Sequence, residues 1–251
     1  MGPAAALAFV GGLSMGSFVT VVAHRLPRGE SIVRPRSRCP GCATQISAVD
    51  NIPVLSWLLL RGRCRHCAEQ ISSRYPLTEL ALGVLFAATV VVLWGDAVEV
   101  ALGIAFVTML AAITLTDLEL RIIPNRVLLV SAVVAIAIAA VGDPSSLPAR
   151  AIAAAAAGGL LFLVALAYPK GMGLGDVKLA AVMALFLGRN VAPAILVALL
   201  VGSMVGLGLI AREGAAARKR AIPFGPFLAI GGIVGLLAGS QLVDWYLGTF
   251  S

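Results

Sequence analysis

Runs of about 20 apolar residues, the length that spans a bilayer, recur along nearly the whole of this 251-residue chain. Hydrophobic residues make up 60 % of it and charged residues 12 %, with a mean hydropathy of +1.00; average soluble domains carry about 25 % charged residues. A soluble domain of this size could not hide so much apolar surface, and so apolar a chain is not a disordered one. Lipid admits only helices or closed barrels as spanning structures, because every backbone N–H and C=O must be satisfied internally. The apolar residues run continuously rather than alternating, which excludes the barrel. What remains is an all-α polytopic membrane protein.

At about 1.5 Å per residue, a hydrocarbon core of about 30 Å takes about 20 residues to cross. That ruler gives eight spans, at 3–23, 77–94, 98–116, 127–141, 151–168, 174–188, 191–211 and 222–247, the sixth short and glycine-rich at its start. Nine of the 19 Lys and Arg lie between the first two spans. Arg121, Arg126, Lys170, Lys178, Arg212, Arg218, Lys219 and Arg220 fall in the other loops of the same side, and only Arg150 and Arg189 in the opposite ones. The positive-inside rule then puts the basic loops in the cytoplasm and both termini outside. The first span has no basic region before it and runs directly into a basic loop, so it is expected to be retained rather than cleaved as a signal peptide. The net charge of +7 belongs to the inner face, with anionic lipid headgroups as its partner. The basic loop has only two aromatic residues, Trp57 and Tyr75, too few to interleave its arginines, so nucleic acid is not an expected partner. No internal repeat is expected either. The chain divides into a first span (1–23), a polar loop (24–76) and a membrane-embedded remainder (77–251).

The polar loop holds all four cysteines, as Cys39-Pro-Gly-Cys42 and Cys64-Arg-His-Cys67. Two such knuckles can set four thiolates tetrahedrally around one Zn²⁺. The loop is too small for a core of its own, and structural zinc supplies about 10–16 kcal/mol of folding free energy in modules of this kind. Two disulfides are the alternative, but they need an oxidising compartment and the charge pattern puts the loop in the cytoplasm. His66, inside the second knuckle, could replace a thiolate. A site with four protein ligands and no open position is structural.

Of the 12 Asp and Glu, eight are expected in loops, Glu99 among them. Glu79, Asp117, Glu119 and Asp176 fall at or near span ends on the cytoplasmic side. Ionised carboxylates at membrane depth cost several kcal/mol, so they default to function. Asp117 closes the third span and Asp176 opens the sixth, after Gly171, Gly173 and Gly175. Those glycines allow close approach and unusual backbone angles, as a cleft for an extended peptide would require. Two carboxylates in one site share a proton, so the pair is base and acid at once. That is the chemistry of an aspartic protease. Interfacial ion pairs with Arg121 and Lys178, or an ion-coupled secondary transporter, fit the same residues.

The ordered set of motifs resembles the type IV prepilin peptidases, over nearly the whole chain. It runs Gly16-Ser-Phe18, Arg25-Leu-Pro27, Ser37-Arg-Cys-Pro-Gly-Cys42, Asp50-Asn-Ile-Pro-Val-Leu-Ser-Trp57, Arg61-Gly-Arg-Cys64, Ile71-Ser-Ser-Arg-Tyr-Pro76, Glu79, Asp117 with Ile123-Pro-Asn125, Gly171-Met-Gly-Leu-Gly-Asp176 and Ile222-Pro-Phe-Gly-Pro-Phe227. Thr20 departs from the asparagine frequent there in that family. The resemblance implies that Asp117 and Asp176, the latter in the GxGD motif, are the catalytic pair. It implies a multi-pass enzyme of the inner membrane that cuts the leader from prepilins or pseudopilins at the cytoplasmic face, feeding pilus assembly or type II secretion. Many members also methylate the new N-terminus with S-adenosylmethionine, and the zinc-binding loop goes with these bifunctional members. Arg74, Tyr75 and Glu79 are then candidates for the methyl-donor site, or else a loop-to-span junction with Glu79 capping the helix. A peptidase without methyl transfer is the narrower alternative.

Overall fold

A computed structural model describes residues 1–169, 171–214 and 222–249. Lys170, Arg218, Lys219 and Arg220, which entered the charge pattern above, lie outside the described residues. The described residues are helical apart from loops and two isolated antiparallel bridges. In chain order the helices are α1 (Gly2–Arg25), the short α2 (Leu55–Leu59), α3 (Arg74–Val92), α4 (Ala97–Leu120), α5 (Asn125–Gly142), α6 (Leu147–Ala167), α7 (Leu174–Leu187), α8 (Val191–Glu213) and α9 (Gly225–Gly248). Among the described residues seven apolar helical stretches are long enough to cross a membrane, and one of them, Leu174–Glu213, has 40 residues. That stretch is two helices. Gly188, with φ +54°, and a short 3-10 turn over Gly188–Asn190 separate α7 from α8. Each of the eight expected spans therefore has its own helix. The 14 residues of α7 rise only about 21 Å.

The chain forms two compact units, Met1–Trp94 and Gly95–Ser251. In the first, α1 packs along α3. Glycines let the two backbones touch, because a Cβ on Gly16 would lie 2.5 Å from the Cα of Glu79. Lipid tails are as apolar as the side chains, so such helix pairs depend on close packing rather than on apolar burial.

In the second unit the same device joins α8 and α9, where Gly231, Gly235 and Gly239 face Asn190, Ala194 and Ala198. The core lies among α4, α7 and α9, with Phe106, Ile113, Leu179, Met183 and Leu228 fully buried and the Phe106 and Phe186 rings 5.4 Å apart. Helix α7 is buried on several faces, as a helix apolar all round should be.

The charges at the far ends of these helices differ from expectation. Glu99 is not a loop acid. It stands in the first turn of α4, beside the N-cap Asp96, whose Oδ1 accepts from the Val98 and Glu99 amides at 3.0 Å. Arg150, buried on α6, pairs with Glu99 and donates to the carbonyls of Leu185 (3.3 Å) and Phe186 (2.6 Å) at the end of α7. The last carbonyls of a helix have no intrahelical partner, and one guanidinium serves two of them.

Candidate active site and metal centre

Asp117 sits in the last turn of α4 and is buried. The helix stops there because Arg121 takes a left-handed conformation (φ +55°) and its amide bonds back to the Asp117 carbonyl. Asp176 is the third residue of α7, and its Oδ2 accepts from the amide of Gly173 at the helix N-cap, 3.2 Å. The sequence puts the two acids 59 residues apart; in the second unit Asp117 at the end of α4 and Asp176 at the start of α7 stand on helices that pack together.

No ion pair to either acid is present among the described residues. Lys178, the cation expected beside Asp176, donates to Asn125 Oδ1 instead (3.1 Å) and so ties α7 to α5. The glycines before Asp176 have no left-handed backbone. Their use is proximity. A Cβ on Gly175 would lie 3.2 Å from the Cβ of Ile123, and one on Gly173 would lie 3.3 Å from Asp176 Oδ2.

The segment Ile222–Phe227 has a role that sequence reasoning missed. The amide of Gly225, the first residue of α9, donates to Asp117 Oδ2 at 2.9 Å in a buried contact. Pro226 has no N–H, and Phe227 and Leu228 donate back to the Phe224 carbonyl at 3.0 and 3.1 Å. Of the first four residues of α9, Gly225 alone aims an amide outward. The only signal was Gly-Pro at a helix start, which is common there for other reasons.

In the first unit the four cysteines converge. All are free, and their sulfurs lie within 4.8 Å of one another, with Cys39 and Cys67 at 3.6 Å and Cys42 and Cys64 at 4.0 Å. Four sulfurs at about 2.3 Å from one ion sit about 3.8 Å apart, so the cluster fits a tetrahedral metal. The separations are those of free thiols around an ion rather than of bonded sulfurs, which sit about 2.05 Å apart. His66 is not part of the cluster.

The expectation of no internal repeat is wrong. Arg38-Cys-Pro-Gly-Cys-Ala-Thr-Gln-Ile-Ser47 and Arg63-Cys-Arg-His-Cys-Ala-Glu-Gln-Ile-Ser72 differ at only three positions. Each copy folds alike, with an Arg–Gln bridge (Arg38 to Gln45, Arg63 to Gln70) and an alanine at positive φ after the second cysteine (Ala43 +56°, Ala68 +60°). In each copy an amide from that alanine closes on the carbonyl of the first cysteine, at 2.9 and 3.0 Å. The repeat was readable in the residues and was hidden by attention to the cysteines alone.

Hydroxyl and amide donation from Thr44 pulls the Cys42 thiol down to about 6, and the Cys67 and His66 amides lower Cys64. The Glu69 amide also acts to lower Cys67, but burial and the three neighbouring sulfurs outweigh it and push Cys67 up to about 12. Four thiolates so close repel one another, and a bound cation removes that conflict.

Between the end of α1, the start of α3 and the polar loop, the first unit has a partly open cavity of about 610 Å³. Tyr75 and Glu79 line it, and Arg74 does not. Glu79 is no helix cap. Its Oε2 accepts from the Val54 amide at 2.7 Å.

A helical membrane protein with two acids at the ends of packed helices, and in a separate unit four cysteines that could hold a metal ion, is the class these features define. Two family descriptions match the chain: "Bacterial Peptidase A24 N-terminal domain" over residues 10–93 and "Type IV leader peptidase family" over residues 104–211. The boundary between them agrees with that between the two compact units. Several proteins named prepilin leader peptidase/N-methyltransferase are similar over most of this chain. That of Aeromonas hydrophila is 36 % identical, over 97 % of this chain and 94 % of its own. That of Bacillus subtilis (strain 168) is 34 % identical, over 95 % and 96 %. That of Burkholderia pseudomallei (strain K96243) is 35 % identical, over 94 % and 85 %. No solved structure matches the chain. The chain belongs to the type IV leader peptidase family. The ion-coupled transporter reading gains no support from these relatives.

Proposed function

We propose that the chain is an aspartic endopeptidase of the inner membrane that removes the leader from type IV prepilins or pseudopilins at the cytoplasmic face, and that it also methylates the new N-terminus. The observation that carries the peptidase half is the placement of Asp117 at the end of α4 and of Asp176 at the start of α7, which packs against it, with no ion pair within 4.0 Å of either acid among the described residues. Two such carboxyls hold one proton between them. The ionised one takes a proton from water as it attacks the scissile carbonyl. The protonated one donates to the carbonyl oxygen; as the tetrahedral intermediate collapses, the carboxyl that took the water proton gives it to the leaving amine, and the other recovers a proton from the intermediate's hydroxyl. The apparent titration then belongs to the pair.

The methyl-transfer half rests on the second activity in the names of all the relatives above. S-adenosylmethionine is its donor, and Arg74, Tyr75 and Glu79 are its candidate residues. The metal of Cys39, Cys42, Cys64 and Cys67 is zinc, held for structure, because a tetrahedral site of four thiolates suits that ion and leaves no position for substrate. The orientation rests on the alternation of Lys and Arg between loops. The test is digestion of a leader-bearing pilin by purified enzyme and S-adenosylmethionine, with mass spectrometry of the product. Release of the leader and one added methyl group at the new N-terminus are expected. An intact precursor would contradict the peptidase, and a cleaved but unmethylated product would leave the peptidase alone.

A further inference from the structure

The short helix α2 carries apolar residues on the face that a water-soluble module would leave polar. Leu55, Leu58 and Leu59 stand one turn apart on one side of it and are 49, 58 and 73 % exposed. Ile52, just before the helix, is exposed as well. The other side carries Trp57, whose Nε1 donates to the Ile71 carbonyl at 3.0 Å and whose ring packs on Gly62, where a Cβ would lie 2.9 Å from it. Residues with left-handed backbone bound the helix, Val54 at φ +60° and Arg61 at φ +52°. Neither is glycine, so each holds that conformation only under constraint, and such strain collects where a geometry is used. A contiguous exposed apolar patch of this kind marks a contact surface.

Two ties fix the depth of the patch. Glu79, the sixth residue of α3, accepts from the Val54 amide at 2.7 Å, and Trp57 is bound to Ile71, three residues before α3 begins. Helix α3 has 19 residues and rises about 28 Å, so all of it is needed to cross a hydrocarbon core of about 30 Å. Its first two turns therefore lie at the boundary between headgroups and acyl chains, and α2, tied beside them, lies at the same level. A membrane-surface helix rests there, with its apolar face about 5–10 Å into the boundary.

The charges beside the patch select its occupant. The repeat of the two knuckles extends back to paired arginines, Arg36 with Arg38 in the first copy and Arg61 with Arg63 in the second. The first pair lines the cavity of this unit and the second does not. Arg61 and Arg63 are exposed directly after α2, and their side chains make no hydrogen bond or ion pair among the described residues. Leucines at acyl-chain depth with free guanidinium groups at their rim fit an anionic phospholipid surface. A second copy seated symmetrically on the same patch would set arginine against arginine.

We propose that α2 is an in-plane membrane anchor. Leu55, Leu58 and Leu59 enter the acyl region, and Arg61 and Arg63 take the phosphates of anionic lipids. The cysteine module is thereby held to the bilayer at a third point, besides α1 and α3.

The test uses the full-length protein with the photoreactive residue p-benzoylphenylalanine in place of Leu59, in nanodiscs of equal parts phosphatidylcholine and phosphatidylglycerol. The same replacement at Val84, exposed in the middle of α3, is the lipid-facing reference. Irradiation and mass spectrometry should find phospholipid adducts at both positions, with phosphatidylglycerol enriched severalfold at Leu59 and not at Val84. Arg61→Gln with Arg63→Gln should remove the enrichment and keep the adduct. Lipid adducts at Val84 with none at Leu59 would overturn the proposal. So would adducts from Leu59 to a second copy or to an added pilin in place of lipid, or equal capture of the two lipids there. Amide hydrogen exchange of the wild type needs no variant. Residues 52–63 should exchange severalfold more slowly in the mixed nanodiscs than in phosphatidylcholine alone, and equal rates would contradict the anchor.

Discussion

The amide of Gly225 and the carboxylate of Asp117, 108 residues apart, meet at 2.9 Å at the buried start of α9. Asp117 ends its own helix, where the macrodipole disfavours a negative charge, and the N-terminus of α9 supplies the opposite field. The contact fixes Oδ2 and leaves Oδ1 for water or substrate. Only glycine fits, because a Cβ at 225 would stand 2.7 Å from Oδ2. Gly225→Ala should therefore lower kcat for leader cleavage by about 100-fold, the order expected when a catalytic group is displaced by about 1 Å, with KM little changed. Pro226→Ala restores an amide without touching Asp117 and should cleave near the wild-type rate. Steady-state kinetics on a leader-bearing pilin checks both.

The metal centre makes a separate prediction. Atomic emission of the purified protein should give one zinc per chain. Because metal supplies folding free energy in small thiolate modules, chelation or Cys64→Ser should open the segment from Arg38 to Ser72 to protease. Protection of that segment in the metal-free protein would argue against a folding role.

At the other end of α4, Arg150→Met leaves Glu99 and two α7 carbonyls without their donor. Breaking a buried pair from one side costs about 3–5 kcal/mol; Glu99 is partly exposed, which puts the expected loss at the low end of that range. Changing both partners, Arg150→Met with Glu99→Leu, should recover much of it. Thermal unfolding in detergent reads the difference, and equal losses in the single and double variants would contradict the pairing.

What the sequence made legible follows the range of the interactions. Spans depend on local hydropathy, and all eight were placed within a few residues of their helices. The cysteine cluster was legible from spacing, because each knuckle is built from neighbouring residues. Partner choice between distant elements was not. Glu99 and Arg150 looked like loop charges, and only the approach of α6 and α7 makes them a buried pair. Lys178 looked like a counter-ion for Asp176 and turned to Asn125 instead. Glu79 looked like a helix cap and instead accepts from Val54, whose positive φ no local pattern announces. Gly225 read as a helix start, and its use depends on where α4 ends. The one oversight that needed no structure was the repeat of residues 38–47 at 63–72, which predicts two like knuckles sharing one ion.

The central claim is that Asp117 and Asp176 act as one proton-sharing pair. Its most direct test is digestion of a leader-bearing pilin by wild type, Asp117→Asn and Asp176→Asn enzymes matched for amount and thermal stability. Either substitution alone should abolish release of the leader, because an amide can serve neither as the base nor as the carboxylic acid. Release at an undiminished rate by either variant would contradict the mechanism.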